Sequence, residues 1–351
     1  MKRILIATPM MPPTAGGPAT HAKKLEEFFR SHPDQYFVQL FNFEHLNKFP
    51  PGIRHVFAFI KIFKLAKSSD IIFCLDGFSV ALPAVLVSKV LKKKIYLRIG
   101  GDLVHEQYVE EHLVPMDFFY EKLCGGEITL NKVLYFKLKI QKYIYKNVSG
   151  IIFTTNWQKQ IYENFYQLPK DVFIINNPID KIDKSIYENY PYEKKSELTF
   201  TSITRPVAFK NQKKVIEAIE LAKEQFENIY FENQLGSWDS CLKRISLSRA
   251  YICASISDIS PNQVLESLSL GIPVIMTKHS GFYELLKDKN VARFIDPFKV
   301  EDLRDAIIEM CHDDIYNLYK KSLEEFNQNS SWPETWESLF KKYEIIINSP
   351  V

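Results

Sequence analysis

Short apolar runs alternate with stretches of helical spacing along the first half of the chain. Ile4–Ala7 reads as a buried strand, and strands recur at Phe37–Phe41, Ile71–Leu75, Ile95–Leu97, Gly150–Phe153 and Val172–Ile175. Between them, apolar positions three and four apart predict helices at Ala19–Phe29, Ile53–Lys67, Val80–Leu91 and Lys132–Lys146. Lys181 to Lys195 is rich in Asp, Lys, Tyr and Pro and lacks periodicity, so it reads as a linker. The alternation then resumes. Strands are expected at Leu198–Ile203, Asn228–Glu232, Ala250–Ala254, Pro273–Ile275 and Arg293–Ile295. Helices are expected at Lys213–Phe226, Val300–Cys311, Ile315–Phe326 and Glu334–Ile346. Between Gly236 and Ala250 only a short polar connection is visible. The pattern predicts α/β architecture: two doubly wound parallel-sheet domains, 1–180 and 198–330, joined by 181–197, with a final helix at 332–347.

Composition narrows the function classes. The 351 residues are 46% apolar, ample for two cores, and Lys+Arg exceeds Asp+Glu by 45 to 42. So even a balance gives no global basic field of the kind nucleic-acid binders show. The five cysteines, at 74, 124, 241, 253 and 311, form no Cys-x-x-Cys and suit reduced thiols in the cytoplasm. The eight histidines show no metal-ligand spacing. The apolar run at the N-terminus is too short for a signal peptide and ends at Pro9. No apolar run reaches the ~18 residues that a membrane span needs.

The stretch with most chemical content runs from Ser255 to Ile275. Asp258 follows the strand at 250–254. Ser260 and Pro261 suit a helix start, Val264, Leu265, Leu268 and Leu270 have helical spacing, and Gly271 ends it. Glu266 then lies about two turns into the helix. Unpaired amides at the helix start, near Asn262 and Gln263, attract anions. The two carboxylates can accept hydrogen bonds from a sugar and a ribose. Arg205 and Lys210 share one strand-to-helix loop, although the helix dipole disfavours cations there.

Other segments admit two readings. Gly16 and Gly17 lie between a strand and a helix, where backbone can approach a diphosphate closely. They do not form Gly-x-Gly-x-x-Gly, so no dinucleotide site is expected. In Arg98–Glu106, Asp102 and His105 either belong to a capped, solvated loop or position an acceptor hydroxyl. Lys132, Lys139, Lys142 and Lys146 fall within ~80° of helical arc beside Tyr135 and Tyr143. That face and the similar Ile53–Lys67 helix are either solvated or suited to an anionic membrane or a diphosphate-linked lipid.

Taken in order, several motifs resemble those of the retaining glycosyltransferases of group 1, also called family 4. The segment Asp-Pro-Cys-Pro-Asn-x-x-x-Glu-x-x-x-x-Gly-x-Pro-Val is matched at Asp258, Pro261, Asn262, Glu266, Gly271, Pro273 and Val274, with Ile259 and Ser260 departing and Asp in place of the commoner Glu. Gly-Arg-x-x-x-x-Lys-Gly is matched at Arg205 and Lys210, with Thr204 and Asn211 replacing the glycines. Gly16, Gly17 and His21 fit Gly-Gly-x-x-x-His. Gly101, Asp102 and Glu106 fit Gly-Asp-x-x-(aromatic)-Glu, with His105 in the aromatic position. Asn177-Pro178-Ile179-Asp180 and Ser280-Gly281-Phe-Tyr-Glu284 resemble two further segments.

The resemblance implies a GT-B fold, in which two Rossmann-like domains face a cleft. It implies transfer of a sugar, with retention, from a nucleotide-diphosphate donor to a glycan or lipid-linked glycan of surface polysaccharide biosynthesis. Arg205 and Lys210 would hold the diphosphate, Asn262 and Gln263 would assist, and Glu266 would bind the ribose. Asp258 would bind the sugar, Gly16 and Gly17 would admit the phosphates, and Asp102 and His105 would face the acceptor. It implies no cofactor beyond the donor, no metal, no nucleic-acid partner, and a cytoplasmic location, at the inner face of the membrane if its surface is touched. The final helix would return to the first domain. Relatives place more chain before residue 250, so a trimmed second domain is expected. Two rivals are a nucleotide-sugar epimerase on the same scaffold and a non-catalytic partner subunit.

Overall fold

The computed structural model describes all residues except Ala15, Asp180, Lys181, Lys184, Ser331 and 349–351, and the side chain of Ile186. Asp180 of the Asn-Pro-x-Asp segment and the first residue of the linker therefore lie outside the described residues. The chain divides into two compact units. One comprises Met1–Gln107, Tyr120–Asn176 and Glu337–Val351, and the other Tyr108–Phe119 and Asn177–Trp336.

The first unit is built on β1 (Lys2–Thr8), α1 (Gly17–Arg30), β2 (Tyr36–Asn42), α2 (Ile53–Ala66), β3 (Ile71–Cys74), α3 (Ala81–Leu91) and β4 (Lys94–Ile99). It continues through the start of α4 (Leu103–His112), the end of α5 (Met116–Cys124), α6 (Lys132–Lys146), β5 (Gly150–Phe153), α7 (Asn156–Phe165) and β6 (Asp171–Ile174), while Tyr108–Phe119 of α4 and α5 belongs to the second unit. The six strands are parallel in the order β2-β1-β3-β4-β5-β6. Ile71–Cys74 and Gly150–Phe153 are buried on both faces, which is why they read as unbroken apolar runs. The step from β1 to β2 runs opposite to every later step. Right-handed crossovers therefore put α1 on one face of the sheet and α2, α3, α6 and α7 on the other.

The second unit holds α8 (Ser185–Glu188), β7 (Thr199–Thr201), α9 (Gln212–Lys223), β8 (Tyr230–Glu232), α10 (Trp238–Ser246), β9 (Ala250–Cys253) and α11 (Asn262–Ser269). It goes on with β10 (Val274–Thr277), α12 (Tyr283–Leu286), β11 (Ala292–Ile295), α13 (Val300–Cys311) and α14 (Asp313–Asn329). Its five strands are parallel in the order β11-β10-β9-β7-β8. Strand alternation splits its core in two. Ala250, Ile252 and Ile275 pack toward α9 and α13, whereas Tyr251, Cys253, Val274 and Met276 pack toward α10, α11 and α14.

The last helix, α15 (Trp336–Asn348), lies almost wholly in the first unit. It shares the face of α1: Phe340 stacks on Phe28 at 4.1 Å, and the Tyr343 hydroxyl is 3.0 Å from His21 Nε2. Burial first, and then the Arg98 cation, hold the His21 imidazole well below its ordinary pKa. His21 thus pins two helices together.

Two features depart from the sequence reading, and one bears it out. The connection before β9 is not a mere polar link, because it contains α10. The loop after β4 is shorter than 98–106, because α4 begins at Leu103. Gly271 does end α11, with φ of 74° and its N–H on the Leu268 carbonyl at 3.1 Å, and only glycine takes that conformation without strain.

Candidate active site

In the second sheet the chain leaves β7 toward β8 and returns to β9 on the other side of β7. The loops after β7 and β9 therefore diverge from neighbouring carboxyl ends, the position where open parallel sheets bind ligands. Arg205 and Lys210 follow β7, and Asp258 and Glu266 follow β9.

The loop after β7 closes in a single 3-10 turn, Ala208–Lys210. Asn211 ends it with φ of 60°, a left-handed conformation that Asn tolerates better than most residues. Its buried amide donates to the carbonyls of Ala254 at 3.1 Å and Pro297 at 2.8 Å. The Ile256 N–H donates to the Phe209 carbonyl at 2.8 Å. These bonds tie the two loops together and bring Lys210 Nζ to 2.5 Å from Asp258 Oδ2. Burial lowers the Lys210 pKa, but the Asp258 carboxylate more than offsets this, and the ammonium stays above its ordinary value. Arg205 is exposed, close enough for its charge to act on Lys210, and makes no side-chain hydrogen bond among the described residues.

Asp258 is fixed by backbone as well. Its N–H donates to the His279 carbonyl, and its own carbonyl accepts from Gly281 N–H, both at 3.1 Å. His279 is buried, with Nδ1 2.9 Å from Asp117 Oδ2. The Tyr108–Phe119 segment supplies more of this frame. Met116 N–H donates to Ser257 Oγ at 2.8 Å, and Ala208 N–H donates to Glu110 Oε2 at 3.0 Å. A carboxylate thus rests on an amide of the Ala208–Lys210 turn, so that turn already accepts an anion. Neither Glu110 nor Asp117 carries any local sequence signal.

Helix α11 starts at Asn262 after Pro261, without a side-chain cap. Asn262 Oδ1 accepts from Asn177 at 2.9 Å, and Gln263 Oε1 accepts from the Tyr251 hydroxyl at 2.7 Å. The amides of Asn262 and Gln263 find no acceptor among the described residues. One turn on, Glu266 Oε1 accepts from Trp238 Nε1 at 2.9 Å. Burial raises the Glu266 pKa to about 7, and the Trp238 bond works against that rise. Trp238 opens α10, whose N-cap is Ser237. The capping serine was the one available signal for this partner.

In the first unit the sheet reverses direction between β1 and β3. Gly16, after β1, caps α1 with φ of 137°, which side chains rarely adopt, and Gly17 is the first helical residue. Asp102 follows β4 and has a structural task. It is 1% exposed and accepts from the Val104 and His105 amides, each at 3.0 Å, which makes it the N-terminal cap of α4. Its other oxygen accepts from the Tyr162 hydroxyl at 2.5 Å and from the Tyr120 hydroxyl. Four donors fill the roughly four lone-pair sites of a carboxylate. Burial, then the Asp102 charge, push both tyrosines well above their ordinary pKa. The geometry gives Asp102 no spare acceptor for chemistry. His105 is also buried. Among the described residues no group of His, Cys, Asp and Glu is gathered to hold a metal ion.

Residues 234–331 match the family of group 1 glycosyl transferases. The chain is 25% identical, over 77% of its length and 72% of the relative's, to the uncharacterized glycosyltransferase MJ1059 of Methanocaldococcus jannaschii. Among solved structures it is similar to Anabaena Alr3699/HepE in complex with UDP, with a TM-score of 0.69 at 12% identity over 100% of both chains. It is also similar to sucrose-phosphate synthase from Thermosynechococcus elongatus, with a TM-score of 0.68 at 11% identity over 99% of this chain and 98% of that one. The fold is thus the two-domain GT-B fold read from the sequence.

Proposed function

From a chain of the group 1 glycosyltransferase type with a GT-B fold, we propose a retaining enzyme that moves a sugar from a nucleotide-diphosphate donor to a hydroxyl of a glycan or lipid-linked glycan. The reading places it in the cytoplasm, in surface polysaccharide biosynthesis, and gives it no cofactor beyond its donor. The observation that carries it is the gathering of Arg205, Lys210, Asp258 and Glu266 beyond β7 and β9, where that sheet reverses direction. Cleaving the bond from the sugar to the diphosphate leaves negative charge on the departing nucleotide. Arg205, Lys210 and the α11 amides stabilise that charge, and such a fixed donor contributes roughly 3–4 kcal/mol of barrier in comparable sites. Lys210 is held by Asp258 before the donor arrives and turns part of its charge to the phosphate when it binds. Asp258 keeps its other oxygen for a sugar hydroxyl, and Glu266 accepts from the ribose. Gly16 and Gly17 leave the backbone between β1 and α1 bare enough for an anion to approach, and His105 remains a candidate on the acceptor side. Asp102 becomes a positioning residue, because it caps the helix that carries His105.

A panel of nucleotide sugars, assayed for donor consumption with and without glycan acceptors, tests this. One donor should bind and be consumed quickly only with acceptor. Arg205→Ala and Lys210→Ala should each lower turnover by roughly a hundredfold or more. Near-normal turnover in both variants would remove the diphosphate assignment. Donor isomerised without acceptor would favour an epimerase, and no binding by any donor would favour a non-catalytic subunit.

A further inference from the structure

The sheet face that carries α2, α3 and α6 has an unusual outer surface. These helices hold 14, 11 and 15 residues, and not one is Asp or Glu. They nevertheless carry Arg54, Lys61, Lys64 and Lys89, and five lysines on α6 alone. The chain as a whole is nearly balanced at +3, so this charge is concentrated here.

The same surface is apolar to a degree that solvation does not explain. About half of the large apolar side chains that the described residues leave exposed lie on these three helices. On α2 the exposed stripe is Ile53, Val56, Phe57 and Ile60, with Lys61 and Lys64 continuing it. Its inward residues Ala58, Ile62 and Ala66 are fully buried, so the outer stripe is not the core face. On α3, Leu86 and Val90 flank Lys89. On α6, Val133 and Phe136 are more than 60% exposed, beside Lys132 and Lys139. The helices form one layer: α2 packs on α3 and α3 on α6, and Lys89 lies 4.9 Å from the ring of Tyr143.

We infer that the outer face of α2, α3 and α6 docks on an anionic lipid bilayer. Charge complementarity selects that partner: cations without a single acid meet acidic headgroups, while Phe57, Phe136 and the aliphatic stripe enter the headgroup boundary. No described helix is long and apolar enough to cross a membrane, so the contact is peripheral. The inference is independent of the donor chemistry.

Co-sedimentation with phosphatidylcholine vesicles, with and without phosphatidylglycerol, tests it directly. The protein should partition onto the anionic vesicles and lose most binding at high salt. Each basic residue near such a surface contributes about fivefold, so Lys61→Glu, Lys132→Glu and Lys139→Glu together should weaken partition by about a hundredfold or more. A second variant, Phe57→Ser with Phe136→Ser, should lose the salt-resistant part of the binding. Both should keep the circular dichroism and the soluble-donor binding of the parent. Equal capture by neutral vesicles, no capture at all, or full binding by the triple variant would overturn the inference. None of those outcomes touches the transferase reading, whose assay contains no vesicles.

Discussion

Glu266 is held between two opposing influences, burial and the Trp238 indole, and its pKa comes to rest at about 7 against an ordinary 4.5. The native protein therefore keeps a proton that the unfolded chain has lost between those values. Stability from this group is greatest below the ordinary pKa, falls as pH rises toward about 7, and is level above it. Glu266→Gln should flatten that fall, as read by calorimetric Tm across the window. On the proposed reading, donor binding adds hydrogen bonds from the ribose to the charged form and draws the pKa down. Binding near pH 7 should then release about half a proton. Calorimetry in buffers of different ionisation heat measures this, and Glu266→Gln should abolish it. No release by the parent protein would mean that Glu266 does not meet the ribose. Arg205 and Lys210, the two side chains proposed to hold the phosphate, part company in stability. Arg205 is exposed, so Arg205→Ala should change stability by less than about 0.5 kcal/mol. Lys210→Ala strands a carboxylate whose side chain is 13% exposed, and should cost about 1–3 kcal/mol in urea denaturation. The spacing of Arg205 and Lys210 was legible because two cations at a helix start contradict the dipole. Glu110 and Asp117 were not, because their partners are 98 and 162 residues away.

At the scale of the element, α10 shows why part of the site was hidden. Its buried positions Cys241, Leu242 and Ile245 are too few to stand out, and charged residues surround them. A helix so short takes its stability from its cap and its packing rather than from propensity. The Ser237 side chain accepts from the Ser240 amide at 3.3 Å, and Ser237→Ala should cost about 1 kcal/mol. The change should also loosen Trp238 and let burial raise the Glu266 pKa further. Donor affinity should then drop severalfold at pH 7 and recover in more alkaline buffer. Equal losses at both pH values would show that the cap acts on packing alone. The strands, by contrast, were legible almost to the residue, because burial on both faces leaves runs such as Ile71–Cys74 with no polar interruption. Asp102 was legible as an acid of a capped loop but not as a buried one. The tyrosines around it come from two stretches that only the fold brings together, Tyr120 on α5 and Tyr162 with Tyr166 at the end of α7.

At the scale of the whole molecule, the chain ends in the unit where it began. Leu339, Tyr343, Ile346 and Ile347 of α15 are all buried, and Tyr343 closes over His21 and Phe73. Each such side chain contributes about 1.5–3 kcal/mol on burial. The four together, roughly 6–12 kcal/mol, rival the entire stability of an ordinary domain, about 5–15 kcal/mol. Ending the chain before residue 337 should therefore unfold the first unit and spare the second, whose two core layers use nothing from α15. Hydrogen exchange read by mass spectrometry separates the two. Amides of β1, β3 and β4 should exchange near the rate of an unfolded chain, while those of β9 and β10 stay protected. His21 gives a second reading of the same event. Its buried neutral ring supports stability above its ordinary pKa and withdraws that support as pH falls through and below it. Once the helix is gone His21 should titrate normally and that acid-side loss should vanish. Protection of β1 and β3 retained in the truncated chain would show that α1 alone suffices to cover that face of the sheet.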